Sequence, residues 1–251
     1  SHIARGFLTG LWITDMPWAA DRTFGYPFFL TAIYAISNNA IWLVLALQTL
    51  MNILMVPMVY LASKTLFGSQ QSGTFAAALF ALSAIPLAWA ARFLFTETLF
   101  IFLFLIFIMV YLRSWKSESF RWFVLLGVLL GIGTIVRSVI QFFILIPVVI
   151  ILLQQMQFSK KLVLGLGIVC GLVVVISPFQ IFNHNQYGHF SLSTASGNVF
   201  VESVVTAKAM VDKTKRKEVL LSLVGEDWEA MTNPFEKSAT AKHNSIKWAL
   251  N

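Results

Sequence analysis

The sequence LFTETLFIFLFLIFIMVYL occupies residues 94–112, and its only charged residue, Glu97, lies near the start. A helix needs about twenty consecutive apolar residues to cross the hydrocarbon layer of a membrane, so this run predicts a transmembrane helix. The sequence therefore predicts an all-α membrane protein with about six transmembrane helices, because five comparable apolar runs accompany the first. They lie at 41–62, 73–91, 122–136, 139–153 and 162–182.

The overall composition is typical of a membrane protein. Of the 251 residues, 58% are hydrophobic and 12% are charged, and the mean hydropathy is +0.78. An ordinary soluble domain has about 45–50% apolar and about 25% charged residues. The net charge is +7, but the basic residues lie between apolar runs, which argues for membrane topology and against nucleic-acid binding. The single cysteine, Cys170, excludes a disulfide framework within this sequence.

The chain divides into three segments by composition. Residues 1–40 mix charged and aromatic residues with a short apolar stretch at 27–36, and we interpret them as an extracytoplasmic loop with interfacial half-helices. Residues 41–182 form the transmembrane module, and the more polar residues 183–251 are predicted to be an extracytoplasmic soluble segment. Because no initiator methionine opens the sequence, we expect it to be a piece of a longer chain.

The basic residues are distributed unevenly among the turns between the apolar runs. Cytoplasmic turns of membrane proteins carry an excess of Lys and Arg, so the richer set of turns is predicted to be cytoplasmic. The poorer set contains only Arg92 and Arg137 and is predicted to face outward from a plasma or inner membrane. The richer set contains Lys64, Arg113, Lys116, Arg121, Lys160 and Lys161.

Arg137 lies between two runs that are short for membrane-crossing helices. About fifteen helical residues span roughly 23 Å, whereas the hydrocarbon layer is roughly 30 Å thick. We therefore expect Arg137 to lie below the outer headgroup plane, in a recess. A cation at that depth usually marks a functional site, although a long side chain can also extend to the headgroups. Both interpretations remain open.

The charged residues on the outer side suit chemistry on an anionic lipid headgroup. An arginine can bind two phosphate oxygens at once, and a carboxylate can accept the proton of an attacking hydroxyl group. The same residues could instead form interfacial ion pairs that contribute little. The residues concerned are Asp15, Asp21, Arg22, Arg92, Glu97 and Arg137.

Pairs of glycines occur four residues apart in two of the apolar runs. One pair is Gly127 and Gly131, and the other is Gly167 and Gly171. Small residues at this spacing let neighbouring helices approach closely in a membrane. We therefore predict tight helix contacts at these positions.

Five stretches resemble, in order, motifs of the C-type membrane glycosyltransferases, the group that contains protein O-mannosyltransferases and the lipid A aminoarabinose transferase. RTFGYPFFL at 22–30 resembles the family's R-x-P-G-Y-P-L-F-L, with Phe24 in place of proline. FTETLF at 95–100 resembles its S-E-T-L-F outer turn. The other three stretches resemble its second span and inner turn at 48–68, its G-L-L-x-G-L-A-x-L-x-R helix at 127–137, and its P-W-x-x-R-N exit into the outer loop at 178–190, where Phe182 replaces the arginine.

This resemblance implies an all-α membrane glycosyltransferase with its site on the outer side of the membrane. The enzyme would move a sugar from a polyprenyl-phosphate carrier to a protein, lipid or glycan acceptor, with inversion at the anomeric carbon. The family's usual catalytic carboxylate lies in the first outer loop, which we expect upstream of residue 1. Within this sequence, the catalytic candidates are Asp15, Asp21 and Glu97, and the substrate-binding candidates are Arg22, Tyr26, Arg92, Arg137 and Asn183.

The sequence predicts neither a metal site nor a cofactor. It contains no Asp-x-Asp metal-nucleotide motif and no Gly-x-x-x-x-Gly-Lys phosphate loop, so we expect a lipid-linked donor rather than a free nucleotide sugar. The alternative function is a transporter or flippase of a lipid-linked precursor, a class that often shows two related halves. A non-catalytic scaffold is a further alternative, which would leave Arg137 and the charges of Arg92 and Glu97 unexplained.

Overall fold

The computed structural model of the chain is built from helices. No strand occurs among the residues described, which are 23–37, 40–83, 96–117, 119–193, 204–206, 219, 231 and 233–249. The helices are α1 (Gly25–Ser37), α2 (Ile41–Phe67), α3 (Gln70–Leu82), α4 (Thr96–Ser117), α5 (Phe120–Val136), a 3-10 helix (Ser138–Ile144), α6 (Leu145–Leu153), α7 (Phe158–Tyr187) and α8 (Pro234–Ala249).

The predicted all-α membrane fold is confirmed. In the described part of the chain, three helices are long and apolar enough to cross a membrane: α2, α7 and residues Thr96–Trp115 of α4. The other three predicted runs correspond to helical segments that are shorter than these three spans. The run at 73–91 is helical to Leu82, and residues 84–95 lie outside the described part of the chain.

The run predicted as one helix at 139–153 is divided in the structure. Arg137 has an extended backbone (φ −147°, ψ 108°) that ends α5, and residues Ser138–Ile144 then form a 3-10 helix before α6 begins at Leu145. Pro147 offers a physical reason, because a proline has no N–H to donate to the carbonyl group four residues earlier and its ring clashes with that group. Regular α-helix therefore starts with the proline in its first turn, where it is tolerated.

Helices α2 and α3 form a hairpin with a very short connection. Gly68 ends α2 in the left-handed conformation (φ 66°), which glycine adopts without steric cost. Ser69 then caps α3, its hydroxyl oxygen accepting a hydrogen bond from the backbone N–H of Ser72 at 3.5 Å. The hydroxyl group of Ser63 on α2 also donates a hydrogen bond to the carbonyl oxygen of Ser72 on α3 at 3.1 Å, which holds the two helices together beside the turn.

The main core lies where α4, α5 and α7 pack together. Phe123, Leu126, Leu130 and Ile168 are almost fully buried there. Aromatic rings along α4 line this core: Phe100, Phe104, Phe107, Tyr111 and Trp115 contact one another in sequence.

The predicted close helix contacts are confirmed at two of the glycines. A Cβ added at Gly127 would overlap the carbonyl oxygen of Ile168, and one added at Gly171 would overlap the carbonyl oxygen of Val124. The backbones of α5 and α7 therefore touch directly, which only glycine permits at these positions.

The chain forms two compact units. The first comprises Phe24–Pro178, and the second contains the described parts of Phe179–Asn251. In the second unit, Asn233 connects the start of α8 to the end of α7. Its Oδ1 accepts a hydrogen bond from the backbone N–H of Phe235 at 3.0 Å, and its Nδ2 donates to the carbonyl oxygen of Tyr187 at 2.9 Å.

Candidate functional site

Glu97 and Arg137 form an ion pair at one end of the α4–α5 hairpin. Glu97 lies in the first turn of α4, and Arg137 directly follows the last residue of α5. Because the two helices are antiparallel neighbours joined by a short turn, the start of one meets the end of the other. The Nη1 atom of Arg137 lies 3.3 Å from Oε1 of Glu97.

Two further side chains of α4 complete the surroundings of this pair. The hydroxyl group of Thr96 donates a hydrogen bond to Oε2 of Glu97 at 3.2 Å, so each oxygen of the carboxylate has a polar contact. The guanidinium carbon of Arg137 lies 5.6 Å from the ring centroid of Phe100, within the range of a cation–π interaction. Phe100 follows Glu97 by three positions, which places both side chains on one face of the helix.

The ion pair remains open to its surroundings. The side chains of Glu97 and Arg137 each have 46% relative exposure. An exposed ion pair contributes only about 0–1 kcal/mol to stability. Its contribution to folding is therefore small, whereas its exposed charges are available to an incoming ligand.

Tyr26 is buried at the start of α1, although the family resemblance implied that it contacts the substrate. The residue is only 7% exposed, and its hydroxyl oxygen accepts a hydrogen bond from Nε2 of Gln48 at 3.2 Å. Gln48 lies on α2 and is completely buried. Its neighbour one turn later, Asn52, donates to the carbonyl oxygen of Gln48 at 3.1 Å, so a polar cluster lies inside an otherwise apolar bundle.

Asn183 lies near the end of α7, in the second unit. It is 2% exposed, and its Nδ2 donates a hydrogen bond to the carbonyl oxygen of Ser191. This contact stabilises the turn that follows α7. The exposed His184 stacks on Phe190 in the same turn, with ring centroids 4.0 Å apart.

The remaining candidates lie outside the described residues: Asp15, Asp21, Arg22 and Arg92. Of the described candidates in the first unit, Glu97 and Arg137 are in contact. Tyr26 is buried and hydrogen-bonded to Gln48. Thr96, Phe100 and Gln48 were not singled out from the sequence. The helical spacing of Phe100 from Glu97 could have predicted that both side chains lie on one face of α4. Nothing in the sequence links Gln48 to Tyr26.

The fold defines a multi-pass helical membrane protein with a charged pair at one end of its helices. Residues 21–182, well over half of the chain, match the dolichyl-phosphate-mannose-protein mannosyltransferase family. The chain belongs to this family of membrane glycosyltransferases, which confirms the resemblance found in its motifs. The matched range contains Tyr26, Glu97 and Arg137 and ends just before Asn183. No curated protein and no solved structure matches the chain.

Proposed function

We propose that this protein transfers a sugar from a polyprenyl-phosphate carrier to a hydroxyl group of a protein, lipid or glycan on the extracytoplasmic side of a plasma or inner membrane. The observation that carries the proposal is the accessible pair of Glu97 and Arg137 at the helix ends. Family membership supports sugar transfer, and the apolar helices supply the surroundings that a lipid carrier needs.

Arg137 is the proposed ligand of the carrier's phosphate group. A guanidinium presents several N–H donors in one plane and can bind two phosphate oxygens at once. Phe100 lies against the guanidinium, and Glu97 holds one of its nitrogens, so the side chain is oriented before the donor binds. Arg22 and Arg92 remain further candidates for the same negative charge.

The proposed reaction is a single displacement at the anomeric carbon. The acceptor's hydroxyl oxygen attacks this carbon, and the bond from the carbon to the phosphate oxygen breaks. Polyprenyl phosphate leaves with the bonding electron pair, and its developing charge is stabilised by Arg137. The hydroxyl proton passes to a carboxylate, for which Glu97, Asp15 and Asp21 are the candidates.

A reconstituted transfer assay tests this function directly. The full-length protein in liposomes would receive a synthetic polyprenyl phosphate carrying radiolabelled mannose, the sugar in the family's description, together with a cell-envelope extract that supplies protein, lipid and glycan acceptors. Transfer predicts label in a covalent acceptor product and release of unsubstituted polyprenyl phosphate. If label stays on the intact carrier and only changes leaflet, the protein is a flippase, and the transferase proposal is wrong.

A further inference from the structure

The start of α1 packs against the end of α5, directly beside Arg137. A Cβ added at Gly25 would lie 2.7 Å from the carbonyl oxygen of Ile135 and from the backbone nitrogen of Val136. Such distances leave no room for a side chain, so the two backbones are in direct contact. Val136 is the last residue of α5, and Arg137 follows it. Helix α1 therefore contacts the backbone that leads directly into Arg137.

The residue after Gly25 fixes α1 to a different helix. Tyr26 reaches α2 through the hydrogen bond that its hydroxyl oxygen accepts from Gln48, and both residues are buried. Polar groups inside an apolar bundle are costly to desolvate and are usually retained for a reason. Tyr26 has almost no surface to offer a substrate, so its role must act through the helices that it joins.

We infer that Tyr26 and Gln48 are positioning residues, whose hydrogen bond holds the Gly25 end of α1 against α5 and thereby keeps the guanidinium of Arg137 on Glu97 and Phe100. The expected effect on catalysis rests on the proposed function. The expected effect on the orientation of Arg137 does not depend on it. Loss of the bond lets the α1–α5 contact shift, and Arg137 then loses its orientation without losing its charge.

The chemical reactivity of Arg137 tests whether the hydrogen bond between Tyr26 and Gln48 orients the guanidinium, and this test needs no sugar donor. The full-length protein is treated with phenylglyoxal, an arginine reagent, and modification of Arg137 is quantified by mass spectrometry relative to Arg113 at the other end of α4. In the Tyr26→Phe and Gln48→Met variants, Arg137 is expected to react about 2–10-fold faster, the effect of losing one neutral hydrogen bond. The control is Tyr34→Phe, which alters a second buried tyrosine of α1 and leaves the reactivity unchanged.

Transfer activity provides the second arm. Tyr26→Phe is expected to lower kcat/KM about 2–10-fold in the native background. It should have almost no further effect in an Arg137→Lys background, because residues that act through one group are not additive. Folded variants with unchanged Arg137 reactivity, or an equal loss of activity in both backgrounds, would overturn the inference. If the native protein transfers no sugar, the proposed function fails, while the reactivity arm still decides the positioning role.

Discussion

The guanidinium of Arg137 lies 3.3 Å from the carboxylate of Glu97, although Glu97 lies in the first turn of α4 and Arg137 follows the last residue of α5, forty positions later. Their contact follows from the hairpin itself, since antiparallel packing returns the end of α5 to the start of α4. Both side chains are partly exposed and the pair contributes little to stability, which supports the role proposed for it in binding the donor.

Replacement of Glu97 by glutamine tests whether this carboxylate takes part in catalysis. The Glu97→Gln substitution would preserve the size of the side chain and the contact with Thr96 but remove the negative charge. If Glu97 accepts the acceptor's proton, kcat should fall about 10²–10⁴-fold, the usual contribution of a general base. The measurement is transfer from the synthetic carrier at matched expression. Glu236→Gln, at an exposed position of α8, is the matched control, and a Glu97→Gln enzyme as active as this control would remove Glu97 from the mechanism.

Helix packing can be tested with two glycines. Gly127→Ala should destabilise the protein by about 1–3 kcal/mol, because the added methyl group would overlap the backbone of α7. Gly165→Ala should be neutral or slightly stabilising, since nothing beyond the neighbouring backbone of its own helix lies within 4 Å of its added Cβ. Thermal unfolding of the detergent-solubilised variants gives the comparison. Equal midpoints for both would show that α5 and α7 do not touch at Gly127.

The apolar runs carried most of the fold information. The runs at 41–62, 94–112 and 162–182 correspond to the three long helices, because twenty apolar residues have few alternatives to a membrane-spanning helix. The division of the run at 139–153 was not predicted, since hydropathy does not register the hydrogen bond that Pro147 cannot donate.

Only part of the candidate site could be predicted from the sequence. Charge placement singled out Glu97 and Arg137, which the hairpin brings together. The hydrogen bond between Tyr26 and Gln48 joins two helices whose relative rotation no local pattern specifies, so it required the structure. For the same reason, no pattern in the sequence indicated that Asn183 is buried in a turn contact with Ser191.

Membrane orientation provides a prediction that is independent of chemistry. The positive-inside bias places Lys64 and Lys160 in the cytoplasm and His189 outside. Cysteines introduced singly at these positions in a Cys170→Ala background would be treated with a membrane-impermeant maleimide in intact cells. Removing Cys170, the single cysteine of the sequence, leaves the introduced cysteine as the one thiol that the reagent can label. We expect labelling at position 189 alone. Labelling at position 64 or 160 would reverse the orientation and contradict an extracytoplasmic site.

Arg137→Lys distinguishes a phosphate ligand from a membrane anchor. Lysine keeps the positive charge and the apolar stem but loses the planar group that binds two phosphate oxygens and lies against Phe100. If Arg137 binds the carrier's phosphate, transfer should fall about 10–100-fold, which corresponds to one charge-assisted hydrogen bond of about 1.5–3 kcal/mol. Folded yield should change little, because the exposed ion pair contributes little to stability.

Arg113→Lys, the same substitution at the opposite end of α4, is the control and should retain full activity. If Arg137 only extends to the lipid headgroups, lysine serves equally well. Equal transfer rates for the Arg137→Lys and native proteins at matched expression would therefore exclude Arg137 as the phosphate ligand.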